Sequence, residues 1–272
     1  MDTTIKKKAV FLDIDGTLIH RDQGPFTEDT DAMEEAARMG HALFLNTGRS
    51  FANISRTLLD LPSIRGIAAG GGAHVLLRDS ADGTSGDGTS GYKTIYRKWV
   101  SEGMIAKILD WYTKHLIQCV LEGERNCYVI NGPYGLFAVH NLLPVNSLED
   151  FNIKSRGDYV TKLTLNRLSS EEEQRLLESY FKVNCFPNYV EGIVKGENKA
   201  KAMEIILQEL GLRREDSIAI GDSANDLDMM HYAGLGIAMG NATDELKAAA
   251  AAVTADCGKG GVSEALRRFV LS

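Results

Sequence analysis

The sequence is poor in cysteine and has no long hydrophobic run. Its four cysteines are Cys119, Cys127, Cys185 and Cys257, without a CxxC pair and without histidines at zinc-ligand spacing. We therefore expect reduced, mostly buried thiols, as in cytosolic proteins. No apolar run approaches the roughly 20 residues of a membrane-spanning helix. Asp13 interrupts the first apolar run too early for a signal peptide, so we predict a cytoplasmic location.

An excess of positive charge is also missing. The formal net charge is −7 and the pI is about 5.4. A chain with this balance has no overall positive field to attract nucleic acid or anionic lipid. We expect neither nucleic acid nor a membrane as a partner, and the sequence implies no protein partner. A small anionic substrate is compatible with this charge, because one lysine or one metal ion reverses the sign locally.

Two regions of the sequence alternate strand and helix patterns at the spacing of βαβ units. The first contains the strand patterns AVFLDID, HALFLNT and IRGIAAG, with the helix pattern TEDTDAMEEAARMG after the first strand. The second begins near residue 199 and includes the helix pattern NKAKAMEIILQELG and the strand pattern DSIAIGD. These strands are continuously apolar, which is typical of a sheet covered on both faces. We predict an α/β fold with a doubly wound parallel sheet.

The sequence between these regions has a different pattern. Strand patterns follow one another in YKTIYRKWV, IQCVLEG, NCYVING, GLFAVH and DYVTKLTLN, and helix patterns cover SEGMIAKILDWYTKH and SSEEEQRLLESYF. Runs of strands with segregated helices indicate an α+β arrangement. We therefore predict an inserted α+β cap domain at 79–189 and a discontinuous core domain formed by 1–78 and 190–272.

Two polar stretches of the insert have simple interpretations. DGTSGDGTSG, residues 82–91, contains a GxGxxG pattern, but it lacks the preceding buried strand and the following helix of a dinucleotide site. We interpret it as a flexible hairpin loop. The run Glu171, Glu172 and Glu173 is interpreted as the solvent-exposed first turn of a helix.

Polar and charged residues follow three of the predicted core strands. Parallel sheets bind ligands beyond the carboxyl ends of their strands, so these segments would meet if the strands are neighbours. They carry Asp13 and Asp15 after the first strand, Thr47, Gly48 and Arg49 after the second, and Asp222, Asn225 and Asp226 after SIAIG.

The four aspartates of this predicted site would repel one another, so a cation would be needed to keep them ionised. Oxygen ligands without a local histidine indicate Mg²⁺ rather than zinc. Together with Thr47 and a lysine, such a site suits a phosphoryl group. Asp13 would attack phosphorus and form an aspartyl-phosphate, and Asp15 would protonate the leaving oxygen and later deprotonate water. Gly16 would allow a sharp turn.

DIDGT, NTGR, a lysine at a helix start and GDSANDLDMM resemble, in this order, the four motifs of haloacid dehalogenase-like (HAD) superfamily hydrolases. The position of the insert resembles the Cof-type sugar-phosphatase branch, which has a C2 (type IIB) cap. The resemblance covers essentially the whole chain. It implies a Rossmann-like core and Mg²⁺-dependent hydrolysis of small phosphomonoesters, with sugar phosphates as the leading substrate class.

The resemblance also implies residue roles. Asp13 would be the nucleophile, Asp15 the acid/base, Thr47 the phosphate binder and Lys199 the stabilising lysine. Asp222 would bind Mg²⁺ together with the Asp13 side chain and the Asp15 main-chain carbonyl. The candidate phosphate-binding or supporting residues are Gly16, Thr17, Gly48, Arg49, Asn225 and Asp226.

Several alternatives stay open at this point. Lys195 competes with Lys199, which we prefer because the helix pattern begins there. A surface role for Arg49 is as compatible with the sequence as a phosphate contact. Gly71-Gly72-Ala73 stands where the branch usually has Asn-Gly-Ala, so a polar contact near the substrate is in doubt. A phosphomutase or phosphotransferase would share every core motif, and a non-catalytic metabolite-binding protein could retain the fold.

Overall fold

The computed structural model describes residues 6–20, 23–78, 91–132 and 141–272. The predicted strand GLFAVH and all but the last residue of the DGTSGDGTSG loop lie outside these ranges. The chain forms two compact units. The first contains the chain up to Gly48, Arg56–Tyr96 and Asn198–Ser272, and the second contains Arg49–Ser55 and Arg97–Glu197.

The regular elements of the described residues are as follows. The strands are β1 (Ala9–Leu12), β2 (Ala42–Asn46), β3 (Ile64–Ala69), β4 (His74–Arg78), β5 (Tyr92–Arg97), β6 (Cys119–Glu122), β7 (Cys127–Ile130), β8 (Leu142–Val145), β9 (Lys162–Leu165), β10 (Phe181–Cys185), β11 (Val190–Val194), β12 (Ser217–Gly221), β13 (Leu235–Ala238) and β14 (Ala252–Val253). The helices are α1 (Thr27–Arg38), α2 (Arg56–Leu59), α3 (Glu102–His115), α4 (Leu148–Lys154), α5 (Glu171–Glu178), α6 (Lys199–Glu209), α7 (Leu227–Tyr232), α8 (Asp244–Ala249) and α9 (Gly261–Phe269). None of these helices is long and apolar enough to cross a membrane.

The first unit is built on a sheet with the strand order β14-β13-β12-β1-β2-β3-β4-β5 among the described residues. β1 pairs in parallel with β12 on one side and with β2 on the other, and β4 runs antiparallel to β3. The chain thus builds the sheet outward from β1, then returns through α6 and extends it from the other side of β1. This reversal of strand order is the predicted doubly wound arrangement, which the structure confirms.

Both faces of this sheet are covered. On one face, Phe11 and Phe44 stack with ring centroids 4.9 Å apart and pack in one cluster with Met203 of α6 and Met229 of α7. Residues that alternate with them, such as Leu43, point to the opposite face and are equally buried. The continuous apolar character of the strands therefore has a direct structural cause.

The second unit contains a mostly antiparallel sheet in the order β10-β11-β9-β6-β7-β8 among the described residues, in which β7 and β8 run parallel. One face of this sheet packs against helices. Its apolar cluster includes Ile108 and Tyr112 of α3, Phe151 of α4, Leu177 of α5 and Tyr128 of β7. The predicted α+β character of the insert is confirmed.

The division of the chain differs from the predicted domain boundaries, first on the N-terminal side of the insert. β5 lies within the predicted insert, 79–189, but it forms an edge of the first sheet. Tyr92 explains this placement, because its buried hydroxyl donates to Leu59 O at 3.0 Å and accepts from Arg78 Nη2 at 2.6 Å. The units therefore change after Tyr96, one residue before the end of this strand.

On the C-terminal side, the predicted boundary at 189/190 falls directly before β11. This strand pairs with β10 and β9 of the second sheet, so the second unit continues to Glu197. The chain reverses direction between β10 and β11, just before Val190. In the sequence, this turn resembles a boundary between domains.

A third difference concerns Arg49–Ser55, which was predicted to lie in the core domain. Ala52 of this segment packs with Val120 and Val129 of the second unit. Ser50 Oγ also donates to Glu122 Oε2 at 2.9 Å. Apolar and polar contacts both assign the segment to the second unit.

The predicted exposed turn of three glutamates is wrong for one of them. Glu171 and Glu172 are exposed, but Glu173 is completely buried. It lies one helical turn before the buried Leu177, so both side chains share the inner face of α5. Its carboxylate accepts from Tyr112 Oη at 2.5 Å and from Ser169 Oγ at 2.6 Å.

Replacement of this glutamate tests its contribution to stability. Glu173→Ala leaves the buried Tyr112 hydroxyl without its acceptor, so we expect the free energy of unfolding to fall by about 1–3 kcal/mol. Glu172→Ala, on the exposed side of the same turn, should change it by less than about 0.5 kcal/mol. Urea unfolding of both variants measures the difference. Equal midpoints would contradict a stabilising role for the buried carboxylate.

Candidate active site

A buried lysine joins three segments at the carboxyl edge of the first sheet. Lys199, the first residue of α6, donates from Nζ to Asp13 Oδ1 at 2.7 Å and to Asp226 Oδ1 at 2.5 Å. Asn225 Oδ1 lies 3.3 Å from the same nitrogen. All three protons of the ammonium group therefore have oxygen acceptors. The two aspartates and the lysine are each at most 3% exposed.

The pairing of β1 with β12 explains why these residues meet. The register is extended by a bond from Asp13 N to Ile220 O, 3.0 Å, so the residues after both strands emerge side by side. Asp222 follows β12, and a short 3₁₀ turn then brings in Asp226. Asp226 and Ser223 form a reciprocal capping box at this turn.

The two oxygens of Asp226 are occupied by protein donors. Oδ1 binds Lys199, and Oδ2 accepts from the backbone N–H groups of Asp222 and Ser223 at 3.0 and 3.1 Å. A completely buried carboxylate with this set of partners holds neighbouring protein groups in place rather than binding a ligand. Among the clustered carboxylates, Asp13 and Asp222 have the greater freedom to contact a metal ion.

The donor set fits a hard divalent cation. One carboxylate oxygen from each of Asp13, Asp222 and Asp226 lies within 4.8 Å of the others. Three carboxylates face one ammonium group, so the site has an excess of negative charge. Mg²⁺ prefers oxygen ligands and one or two protein carboxylates, which Asp13 and Asp222 can provide.

The charges at the site shift the pKa values of its groups. Burial by itself would lower the pKa of Lys199, but the Asp13 and Asp226 carboxylates outweigh it and raise the pKa above its ordinary value. Burial raises the pKa of Asp13, and the charges of Asp226 and Asp222 add to this effect while Lys199 opposes it. Burial, together with the charge of Asp226, also raises the pKa of Asp222 to about 7. Burial is thus the main cause of the raised pKa values of both aspartates, and the excess of negative charge adds to it.

The turn after β1 approaches Asp222 very closely. Gly16 has φ +80°, and a Cβ atom on it would lie 2.2 Å from Asp222 Oδ2. Thr17 Oγ1 donates to Asp222 Oδ1 at 3.4 Å. The Gly16 carbonyl accepts from Asn241 Nδ2 at 2.9 Å. Glycine is therefore required here both for the left-handed conformation and for space.

The other predicted site residues have distinct positions. Asp15 is exposed, and its backbone bridges to Ile19 across the turn. Thr47 is buried at the end of β2, where its N–H donates to Ala68 O at 2.8 Å. Gly48 ends the part of the first unit that contains β2, and Arg49 belongs to the second unit, where Nη1 donates to Asn53 O at 3.2 Å. The roles assigned to these residues stay predictions.

The competition between the two lysines has a clear structural outcome. Lys195 is exposed, and its backbone N–H donates to Tyr180 O within the second unit, whereas Lys199 is buried against Asp13. Asn198 explains the placement of Lys199, because its side chain caps α6 by accepting from Lys201 N at 2.8 Å. Asparagine directly before a helical pattern is an N-cap signal that is readable from the sequence.

Sequence reasoning missed two further asparagines at this edge of the sheet. Asn46 Nδ2 donates to the Lys199 carbonyl at 3.0 Å, across 153 positions of the sequence. Asn241 binds the Gly16 carbonyl across 225 positions. Asn46 begins the NTGR motif, but the motif does not indicate its contact, and no local pattern marks Asn241, because both contacts depend on the tertiary structure.

The family model of haloacid dehalogenase-like hydrolases matches residues 10–266. The chain belongs to this family. It is 26% identical over 271 residues to the 5-amino-6-(5-phospho-D-ribitylamino)uracil phosphatase YcsE of Bacillus subtilis, and the match covers 97% of this chain and 96% of the relative. The family match and the phosphatases among its relatives confirm the predicted enzyme class, a HAD-like phosphatase.

Solved structures support the same assignment. The HAD subclass IIB sugar phosphatase BT4131 is 27% identical, with a TM-score of 0.77 and coverage of 97% of this chain and 99% of that one. BT1666 from Bacteroides thetaiotaomicron, at 22% identity, shares the fold with a TM-score of 0.78 and coverage of 98% and 96%. The predicted resemblance to the type IIB branch is confirmed.

Enlargement of Gly16 tests the close packing of this HAD-like hydrolase around Asp222. In Gly16→Ala the new methyl group would displace the Asp222 carboxylate, so we expect Mg²⁺ affinity to fall roughly 10–100-fold. Gly24→Ala is a matched control, because no heavy atom lies within 4 Å of a Cβ there and its φ is not positive. Calorimetric titration with Mg²⁺ measures both. An unchanged affinity in Gly16→Ala would contradict the predicted role of Asp222.

The raised pKa of Asp222 gives a prediction for stability. Because this pKa is about 7 in the folded protein and 3.8 ordinarily, the folded chain holds a proton that the unfolded chain releases between these values. The group therefore lowers stability as pH rises through that range. In Asp222→Asn this loss of stability is absent. Without metal, the variant should therefore have a melting temperature a few degrees above that of the parent at about pH 8, and the same melting temperature as the parent at about pH 4.

Added Mg²⁺ should reverse this order of the two melting temperatures at about pH 8. It should raise the melting temperature of the parent and leave that of Asp222→Asn unchanged. Thermal unfolding in EDTA and in MgCl₂ measures both effects. Equal stabilisation of the two proteins by Mg²⁺ would exclude Asp222 as a ligand.

Proposed function

We propose that this protein is a Mg²⁺-dependent phosphatase that hydrolyses small phosphomonoesters, chiefly sugar phosphates, through an aspartyl-phosphate on Asp13. The observation that carries the proposal is the buried contact of 2.7 Å between Lys199 Nζ and Asp13 Oδ1. Nucleophilic attack requires an ionised carboxylate, and the ammonium group favours that form of Asp13. A structural ion pair alone would not require the further carboxylates that surround it.

In the first half of the reaction, an Asp13 carboxylate oxygen forms a bond to phosphorus. The bond between phosphorus and the leaving oxygen breaks, and that oxygen takes a proton from the Asp15 carboxyl group. In the second half, a water oxygen attacks the phosphorus of the aspartyl-phosphate, and Asp15 takes the proton that water releases. The bond between phosphorus and Asp13 then breaks, which frees phosphate and restores both side chains.

The remaining residues bind the phosphoryl group and hold Lys199 in place. The Lys199 ammonium group would offset charge on the phosphoryl oxygens, and the Thr47 hydroxyl would donate to one of them. Asn225 and Asp226 keep Lys199 directed at Asp13 through the contacts described above. Gly48 and Arg49 are proposed as additional phosphate contacts.

The metal ion has a defined set of candidate ligands. The side chains of Asp13 and Asp222 and the main-chain carbonyl of Asp15 would hold Mg²⁺. When bound, the ion supplies positive charge that offsets the phosphoryl oxygens and lowers the pKa of the carboxylates around it.

The substrate class rests on the named relatives. YcsE is named as a phosphatase of 5-amino-6-(5-phospho-D-ribitylamino)uracil, and BT4131 is described as a sugar phosphatase. Both descriptions concern small phosphorylated molecules, so we infer a small phosphorylated metabolite as the partner of this site. The predicted cytoplasmic location agrees with such a substrate.

Phosphate release from a panel of phosphorylated metabolites tests the proposal. With Mg²⁺ the parent should release phosphate, and Asp13→Asn should reduce kcat by about 10³-fold or more, because the amide is a poor nucleophile. Asp31→Asn, an exposed aspartate on α1, is the matched control and should retain the parent's rate.

EDTA should also abolish phosphate release. Formation of a product isomer without free phosphate would instead support a phosphomutase. Full activity of Asp13→Asn would contradict the proposed nucleophile.

A further inference from the structure

Asn46, the last residue of β2, is a polar side chain that follows two apolar ones on the same face of the strand. It is completely buried, and the residues that precede it on this face, Ala42 and Phe44, belong to the apolar cluster under α6. Its Nδ2 donates to the Lys199 carbonyl at 3.0 Å and lies 3.5 Å from Met229 Sδ. Within the described residues, its Oδ1 has no hydrogen-bond partner.

Packing alone does not explain this amide. The contact with the Lys199 carbonyl sets its orientation, because the reverse orientation would place two carbonyl oxygens against each other. The orientation leaves Oδ1 buried without a partner, which costs free energy that an apolar side chain of the same shape would avoid. A leucine would therefore satisfy the core at least as well.

The start of α6 is held from three sides. Asn198 caps the helix by accepting from Lys201 N at 2.8 Å. Gly72, with φ +98°, approaches so closely that a Cβ atom on it would lie 2.2 Å from Asn198 O. Asn46 provides the third contact, on the carbonyl of Lys199 itself. A shift of this helix start would carry the Lys199 side chain away from Asp13.

We propose that Asn46 is a positioning residue that holds the Lys199 backbone so that Nζ reaches Asp13 and Asp226. The inference rests on the proposed function for its effect on catalysis, and on geometry alone for its effect on the position of Lys199. Asn46 contacts the main chain of Lys199 and acts on the reaction through it. This contact requires a polar side chain at position 46, although an apolar one would suit the surrounding core.

Asn46→Leu separates this role from a structural one, because leucine has the same number of side-chain heavy atoms and the same branching at Cγ. We expect the melting temperature to stay equal or rise, since the unpaired oxygen is gone, while kcat falls about tenfold or more and KM changes little. Asn46→Ala should lower kcat by a similar factor, although its stability differs from that of Asn46→Leu. The cavity that alanine leaves should lower its melting temperature.

Phe44→Leu, on the same face of the same strand, is the matched control. It should lower the melting temperature and leave kcat within about twofold of the parent. If Asn46→Leu also leaves kcat within about twofold, or if activity in the Asn46 variants only follows the folded fraction as in Phe44→Leu, the inference is overturned.

A crystal structure of Asn46→Leu provides a readout that is independent of activity. We expect the distance from Lys199 Nζ to Asp13 Oδ1 to exceed about 3.5 Å, and an unchanged 2.7 Å would overturn the positioning role. Failure of the proposed function has a different signature, since Asp13→Asn would then retain activity whatever Asn46→Leu does. Loss of activity in Asp13→Asn with normal kcat in Asn46→Leu would reject this inference alone.

Discussion

The ion cluster around Lys199 is the interaction on which the candidate site depends. An ammonium group buried with so little exposure is stable only beside carboxylates, and Asp13 and Asp226 supply them at 2.7 and 2.5 Å. Removing Lys199 would leave the buried carboxylates of Asp13 and Asp226 without their counter-charge. The same cluster carries more negative than positive charge, so a divalent cation would complete it, and Asp222 completes the donor set beside Asp13.

Close backbone approach is the second constraint on the site. Gly16 brings the turn after β1 against the Asp222 carboxylate, and Gly72 brings the loop after β3 against Asn198 at the start of α6. In both places a side chain would occupy the position of a neighbouring oxygen. These glycines thus allow the segments to converge at one edge of the sheet, and the asparagines Asn46 and Asn241 bind backbone carbonyls there.

Much of the fold was predictable because it follows from local patterns. The continuously apolar strands and the N-cap at Asn198 are each readable within a dozen residues, and the α+β character of the insert follows from the succession of such strand and helix patterns. The boundaries of the units were not, because they depend on which sheet an intervening strand joins. Tyr92 binds Leu59 O and thereby attaches β5 to the first unit, and Glu173 is buried because Tyr112 is there to meet it.

The sequence by itself determined the chemical groups of the candidate site and the family to which the chain belongs, because the motifs hold those groups at short, fixed spacings. It also favoured Lys199 over Lys195 through the helix start. Only the tertiary structure decided that Asp226 is bound by Lys199 and backbone N–H groups, that Gly16 lies against Asp222, and that Asn46 reaches the Lys199 carbonyl. Except for the bonds from the Asp222 and Ser223 N–H groups to Asp226, these contacts join residues far apart in the chain. Their energies depend on burial and charge, which no local pattern records.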